Sequence, residues 1–159
     1  MSSQLSAADV IEALDLQPLP QEGGRWAQTW LDSNGSGIYF LMTPDDFSAI
    51  HRLQSPELWH YYGGAPAEIT LLTSGSPAEV QTHGMDLTAG QRPCVPVEPG
   101  VWMGAETTGD WTLVGTTMAP PYNDAGFELG QRQQLAADFP DAIDRLTRLT
   151  RPAPNGAPS

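Results

Sequence analysis

The chain has 159 residues and a formal charge of −12, from 19 acidic and 7 basic residues. That field repels duplex nucleic acid and anionic membrane surfaces, and no basic stripe offsets it. One cysteine, Cys94, excludes an intrachain disulfide and a Cys-rich zinc site, and no apolar run reaches bilayer-spanning length. The first residues, MSSQLS, lack the basic and apolar regions of a signal peptide, so a cytoplasmic location is expected.

Along the chain, Ser6 predicts a helix N-cap, with Asp9 closing a capping box and Leu5 set against Val10 as a hydrophobic staple. Val10, Ile11 and Leu14 continue at helical spacing, and the helix should stop before Pro18. Strands are predicted over 25–31 and 37–42, around a turn at Asn34 and Gly35. Further strands follow over 47–53, 58–62, 69–73, 78–82, 94–98, 101–105 and 111–118. Turn signals recur at a spacing of about ten residues, which suits an antiparallel sandwich or barrel. Two helices should close the chain. One covers 131–138; the other begins with Pro140 in its first turn and runs to Arg151. Ile143, Leu146 and Leu149 give the second helix an apolar stripe for the outside of the barrel. Residues 1–151 thus read as one domain and 152–159 as a disordered tail by composition.

Two segments carry the chemistry: residues 50–64, IHRLQSPELWHYYGG, and residues 90–104, GQRPCVPVEPGVWMG. On a strand, residues two apart face the same side, so His51 and Leu53 share a face. A hairpin then brings Glu57 back beside them, and the turn at Gly100 returns Val101 and Met103 on a neighbouring strand. Together the two segments resemble the paired motifs of the cupin superfamily. In its metal-binding members three His and a Glu converge on one ion inside a jelly-roll barrel. His51 matches the first His of that pattern, Glu57 the Glu and Gly100 the turn glycine. Leu53 falls at the second His and Met103 at the last. The resemblance therefore implies a cupin jelly-roll β-barrel, all-β apart from an N-terminal helix and short C-terminal helices. It also implies one internal small-molecule pocket. With two ligand positions lost, no metal and no other cofactor are expected; any ion would have only His51 and Glu57.

The likeness is nearer to one branch of that superfamily, a domain of unknown function that carries a His-Arg-Leu-x-Ser-x-Glu-x-Trp-His motif. Matching stretches are 38–42, 51–63, 99–105 and 118–130. This chain departs from the branch pattern around the expected pocket. Cys94 and Met103 stand at usual Gln positions, Glu98 at a usual Pro, Pro121 at a usual Gly and Pro56 at a usual Asp.

Strand parity and the resemblance assign His51 and Glu57 as an acid–base pair within hydrogen-bond reach of each other. Tyr39, Leu53, Trp59, Tyr61, Cys94, Glu98 and Met103 are assigned to the substrate wall. His51, Glu57, Cys94 and Met103 should lie together inside the barrel. His60 should face away, Trp102 should pack away from Met103, and His83 should sit in a surface turn. The implied function is a non-redox isomerase, epimerase, lyase or cyclase acting on a small molecule. The alternatives are a binding protein without catalysis and a metal-dependent oxygenase. Uncovered edge strands suggest a homodimer, with no nucleic-acid or membrane partner.

Overall fold

A computed structural model of the chain describes residues 4–152. The expected tail, 153–159 in particular, lies outside those residues. Helix α1 (Ala7–Ala13) starts at Ser6, whose hydroxyl accepts from Asp9 N–H while the Asp9 carboxylate accepts from Ser6 N–H, a closed capping box. Leu5 stays 60% exposed, so the staple does not form; its carbonyl instead accepts from the Trp111 indole N–H at 3.0 Å.

The strands are β1 (Gln17–Pro18), β2 (Arg25–Leu31), β3 (Ser36–Met42), β4 (Ser48–Leu53), β5 (Glu57–Gly64), β6 (Ala67–Leu72), β7 (Glu79–His83), β8 (Cys94–Val97), β9 (Trp102–Thr107), β10 (Thr112–Met118) and β11 (Phe127–Leu129). They form two antiparallel sheets, in the orders β1-β2-β3-β10-β5-β8 and β11-β4-β9-β6-β7. From β3 onward the chain passes repeatedly between the sheets, the winding of a jelly roll. Helices α2 (Arg132–Asp138) and α3 (Ile143–Leu149) follow, joined by a short 3₁₀ turn at Pro140–Ala142. The single expected helix from Pro140 is therefore a turn and then a helix.

Period-two alternation sorts each strand between the inside of the sandwich and an outer cover. Phe40, Met42, Leu53, Trp59, Val95, Val97, Met103 and Val114 meet in the central cluster. Outside one sheet, Leu135, Phe139, Leu146 and Leu149 of the C-terminal helices pack on Ile50, Leu72 and Trp102. Ile143, the first residue of the expected stripe, is 46% exposed. Outside the other sheet, Val10 and Leu16 cover Leu41, with Tyr39 and Leu113 packed alongside.

Beyond α3, Arg151 ties the segment before β2 to the segment before β4. The Arg151 guanidinium donates to the Glu22 carbonyl at 2.7 Å and to the Phe47 carbonyl at 2.9 Å, and pairs with Asp46 at 3.3 Å. Gly23, at φ +91°, leaves the space that guanidinium occupies; a Cβ there would collide with it. This strap holds the segment between β1 and β2 that walls the cavity described next.

Candidate functional site

A cavity of about 760 Å³ opens between the two sheets at the end where β4, β5 and β10 carry His51, Glu57 and Thr116. Its walls are mainly apolar: Trp26, Ile38, Leu53, Met118 and Phe127. The loop at Leu19–Glu22 and the loop carrying Tyr122 and Asp124 form its rim.

His51 is 2% exposed, and its Nδ1 lies 2.7 Å from the Ala49 carbonyl. A carbonyl only accepts, so Nδ1 carries a hydrogen and Nε2 is the nitrogen left to face the cavity. The Phe127 ring stacks on the imidazole at 5.4 Å and 23°. Phe127 is brought there by β11, which pairs with β4 so that Leu129 lies opposite His51. The carboxylate in ion-pair range of His51 is Glu22, with Oε1 3.8 Å from Nε2. That Oε1 also accepts from the Ser48 hydroxyl at 2.8 Å. The expected hydrogen bond between His51 and Glu57 is not formed. The two groups line the same cavity without touching, because they stand on strands of opposite sheets.

Glu57 is 7% exposed. Burial pushes its carboxyl up to about 7; nearby His51 opposes the rise, and the Glu22 charge adds to it. Thr116 and Trp59 lie close enough to favour the ionised form. The Trp59 indole nitrogen nevertheless closes no hydrogen bond of ordinary geometry. At the rim, the Tyr122 hydroxyl donates to Asp124 at 3.2 Å. Its acidity is suppressed, to about 12, by burial first and then by Asp124, with Glu22 and Glu57 adding repulsion.

Of the expected wall, Leu53 lines the cavity and Tyr39, Trp59, Tyr61, Cys94, Glu98 and Met103 do not. On β3, Ile38 and Phe40 face inward, which turns Tyr39 out against Tyr62 at 6.0 Å. Trp59 does point inward, but beneath the cavity, as core at 1% exposure. Tyr61 lies further along β5, its hydroxyl donating to the Gly64 carbonyl and its ring edge-on to His83. On β8, Val95 and Val97 take the inward positions, so Cys94 and Glu98 share the outer, exposed side. Met103 is the cross-strand neighbour of His51 but is buried in the central cluster. His51, Glu57, Cys94 and Met103 are thus not gathered in one place.

His60 faces outward as expected and shares a hydrogen bond with the Thr117 hydroxyl at 2.9 Å. Trp102 packs with the outer cluster under the Arg52 guanidinium. His83 corrects its expectation: it is fully buried, with Nδ1 donating to the Arg92 carbonyl at 2.9 Å, and burial holds its basicity down. Sequence reasoning missed Glu22, Trp26, Phe127, Tyr122 and Asp124. None belongs to a strand motif with a readable partner, although 118–130 already stood out as a distinctive stretch.

A profile described as Cupin superfamily (DUF985) matches residues 8–130. The chain belongs to that family. A protein of Shewanella oneidensis of solved structure is 30% identical to this cupin, with a TM-score of 0.86 over 94% of this chain and 99% of that one. A hypothetical protein from Leishmania major superposes with a TM-score of 0.86 at 21% identity, over 93% of this chain and 100% of that one. Oxalate decarboxylase of Bacillus subtilis shares the fold at 10% identity and a TM-score of 0.59, over 85% of this chain and 37% of that one. Among curated proteins, none matches the chain.

The donor set of this cupin does not fit a resident transition metal. Leu53 offers no donor where a second His would stand, and Met103 belongs to the core. Among the described residues, no three His, Cys, Asp or Glu side chains are grouped to hold an ion. Among those same residues, no helix is long and apolar enough to cross a membrane.

Proposed function

We propose that this cupin transforms a small organic molecule by metal-independent proton transfer between His51 and Glu57. The observation that carries the reading is the facing of two titratable groups across one apolar cavity. His51 is anchored through Nδ1, so its basic Nε2 is the free nitrogen. Glu57 stands on the other sheet, in surroundings that keep a carboxyl group protonated to near neutral pH. The two groups stand on opposite sheets and line one cavity, so a bound molecule can reach both.

In the reaction class this supports, Nε2 takes a proton from a carbon next to a carbonyl. The C–H electron pair becomes a C=C bond, and the carbonyl oxygen takes the Glu57 proton. An enol, an imidazolium and a Glu57 carboxylate result. Returning the protons to a different carbon or face gives isomerisation or epimerisation. Phe127, stacked on the imidazole, helps to hold its orientation.

Incubation in D₂O with a panel of small keto and hydroxycarbonyl compounds tests this. Deuterium should enter at carbon, as read by NMR, and His51→Ala or Glu57→Gln should each abolish the exchange. The rate should fall as pH rises through about 7, where Glu57 loses the proton it donates. A ligand that co-purifies in the cavity, resists exchange and binds both variants as well as the parent would refute catalysis and leave a binding protein.

A further inference from the structure

The charge around this cavity has one sign. Glu22 lines it as a carboxylate and Asp124 stands at its rim, while Glu57 is a lining carboxyl that burial holds protonated to near neutral pH. The chain contains no lysine, and none of its seven arginines lines the cavity. Most are committed elsewhere. Arg52 pairs with Glu128, Arg145 with Glu68 and Glu106, Arg148 with Glu106, and Arg151 with Asp46. Arg132 donates to Thr150 and Arg92 to the Gln91 carbonyl. His51 is the one lining group able to carry positive charge, and it already has Glu22 at 3.8 Å. A phosphate or carboxylate placed here would meet repulsion in a partly dry site, with no guanidinium or ammonium to receive it.

The site is built for an occupant. Two side chains more than nine-tenths buried, His51 and Glu57, line it, and His51 Nε2 faces it with no protein hydrogen bond, its nearest charged neighbour being Glu22 at 3.8 Å. The aromatic side chains of Trp26, Phe127 and Tyr122 stand among the same lining, Phe127 with one face stacked on His51. Aromatic faces and carboxylates together are the surroundings that hold an ammonium group.

We infer that the cavity selects an organic cation, an amine with an apolar body, and rejects anions. The ammonium group would sit between Glu22 and Asp124 at the rim, with the apolar body against Trp26, Ile38 and Met118. The inference rests on reading the cavity as the substrate site and deepens it by naming the substrate class. It does not depend on proton transfer.

Three probes of similar shape separate the possibilities by calorimetry: phenethylamine, 2-phenylethanol and 3-phenylpropionate. The amine should bind at least ten times more tightly than the alcohol, and the carboxylate should not bind measurably. Glu22→Gln and Asp124→Asn should each reduce the preference for the amine, with circular dichroism confirming an intact fold. Asp124 is exposed at the rim, so its variant answers the question even if Glu22→Gln perturbs the Ser48 contact. Equal binding of amine and alcohol, tighter binding of the carboxylate, no binding of any probe at millimolar concentration, or an unchanged preference in Asp124→Asn would each overturn the inference. Amine binding without carbon exchange would instead count against proton transfer alone, and turnover of an anionic compound against the charge selection alone.

Discussion

A carboxyl group held at 7% exposure, with a second carboxylate nearby, costs free energy to ionise. Glu57 carries that cost. Its usual value of 4.5 rises to about 7 in the folded chain, so the folded state holds the proton more firmly than the unfolded one. Below about pH 4.5 both states are protonated and the group has no effect. Between 4.5 and 7 the unfolded state ionises first, and stability falls as pH rises. Above 7 the loss is complete, at about 3 kcal/mol for a shift of this size. Urea unfolding should therefore find Glu57→Gln more stable than the parent at pH 8 by up to about 3 kcal/mol, with the difference gone near pH 4. If Glu57→Gln abolishes carbon exchange as well as raising stability, the carboxyl is held in place for chemistry rather than for folding. Cys94 gives the opposite result. It is exposed on the outer side of β8, so it should react with a thiol reagent in the folded protein, and Cys94→Ala should leave ligand affinity unchanged.

At the scale of elements, the motif strand β4 was legible because His51 and Leu53 obey simple alternation. Neighbouring strands were harder to orient. On β8 the residues on both faces look permissible in sequence, since Cys94, Val95, Pro96 and Val97 would all tolerate burial. Register against β5 decides, setting Val95 opposite Trp59 and Val97 opposite Glu57. Tyr39 was misplaced for the same reason: an aromatic between Ile38 and Phe40 fits either side of β3. The strap formed after α3 has no sequence signature at all, since a terminal arginine looks like solvent-facing charge. Arg151→Ala removes hydrogen bonds to two carbonyls and the stacking on Phe47. It should cost about 1–2 kcal/mol of stability. Hydrogen exchange over residues 19–24 should quicken, which shows loosening of the cavity rim rather than only a lower melting point.

The whole molecule is a three-layered arrangement: a central cluster between two sheets, with α1 covering one outer face and the C-terminal helices the other. The cavity interrupts the central layer at one end, and its rim comes from chain segments far apart in sequence. Over this body lies a net charge of −12, which repels itself in the folded state more than in the expanded one. Added salt screens that repulsion. Raising sodium chloride from low to near-molar concentration should raise Tm by about 2–4 °C, the effect of roughly 1 kcal/mol in a chain of this size. A Tm unchanged by salt would mean that charges near ion pairs, such as those of Arg145 and Arg148, already balance the field.

Local rules determined much of this protein in advance. The capping box at Ser6, the turn residues and the two-residue alternation predicted terminal helices around an antiparallel sandwich or barrel, and the resemblance of the paired motifs to cupins implied that it is a jelly roll. They also singled out His51, Glu57 and Leu53 for the interior. These features depend on contacts within a few residues, which a sequence displays directly. Which carboxylate stands beside His51, which aromatic covers it, and which side of β8 faces inward depend on register between distant segments. Glu22 comes from the loop after β1, Phe127 from β11 near the end of the fold, and both reach His51 only when the sheets close. No local pattern encodes such a meeting, because the energy that fixes it comes from packing the whole sandwich.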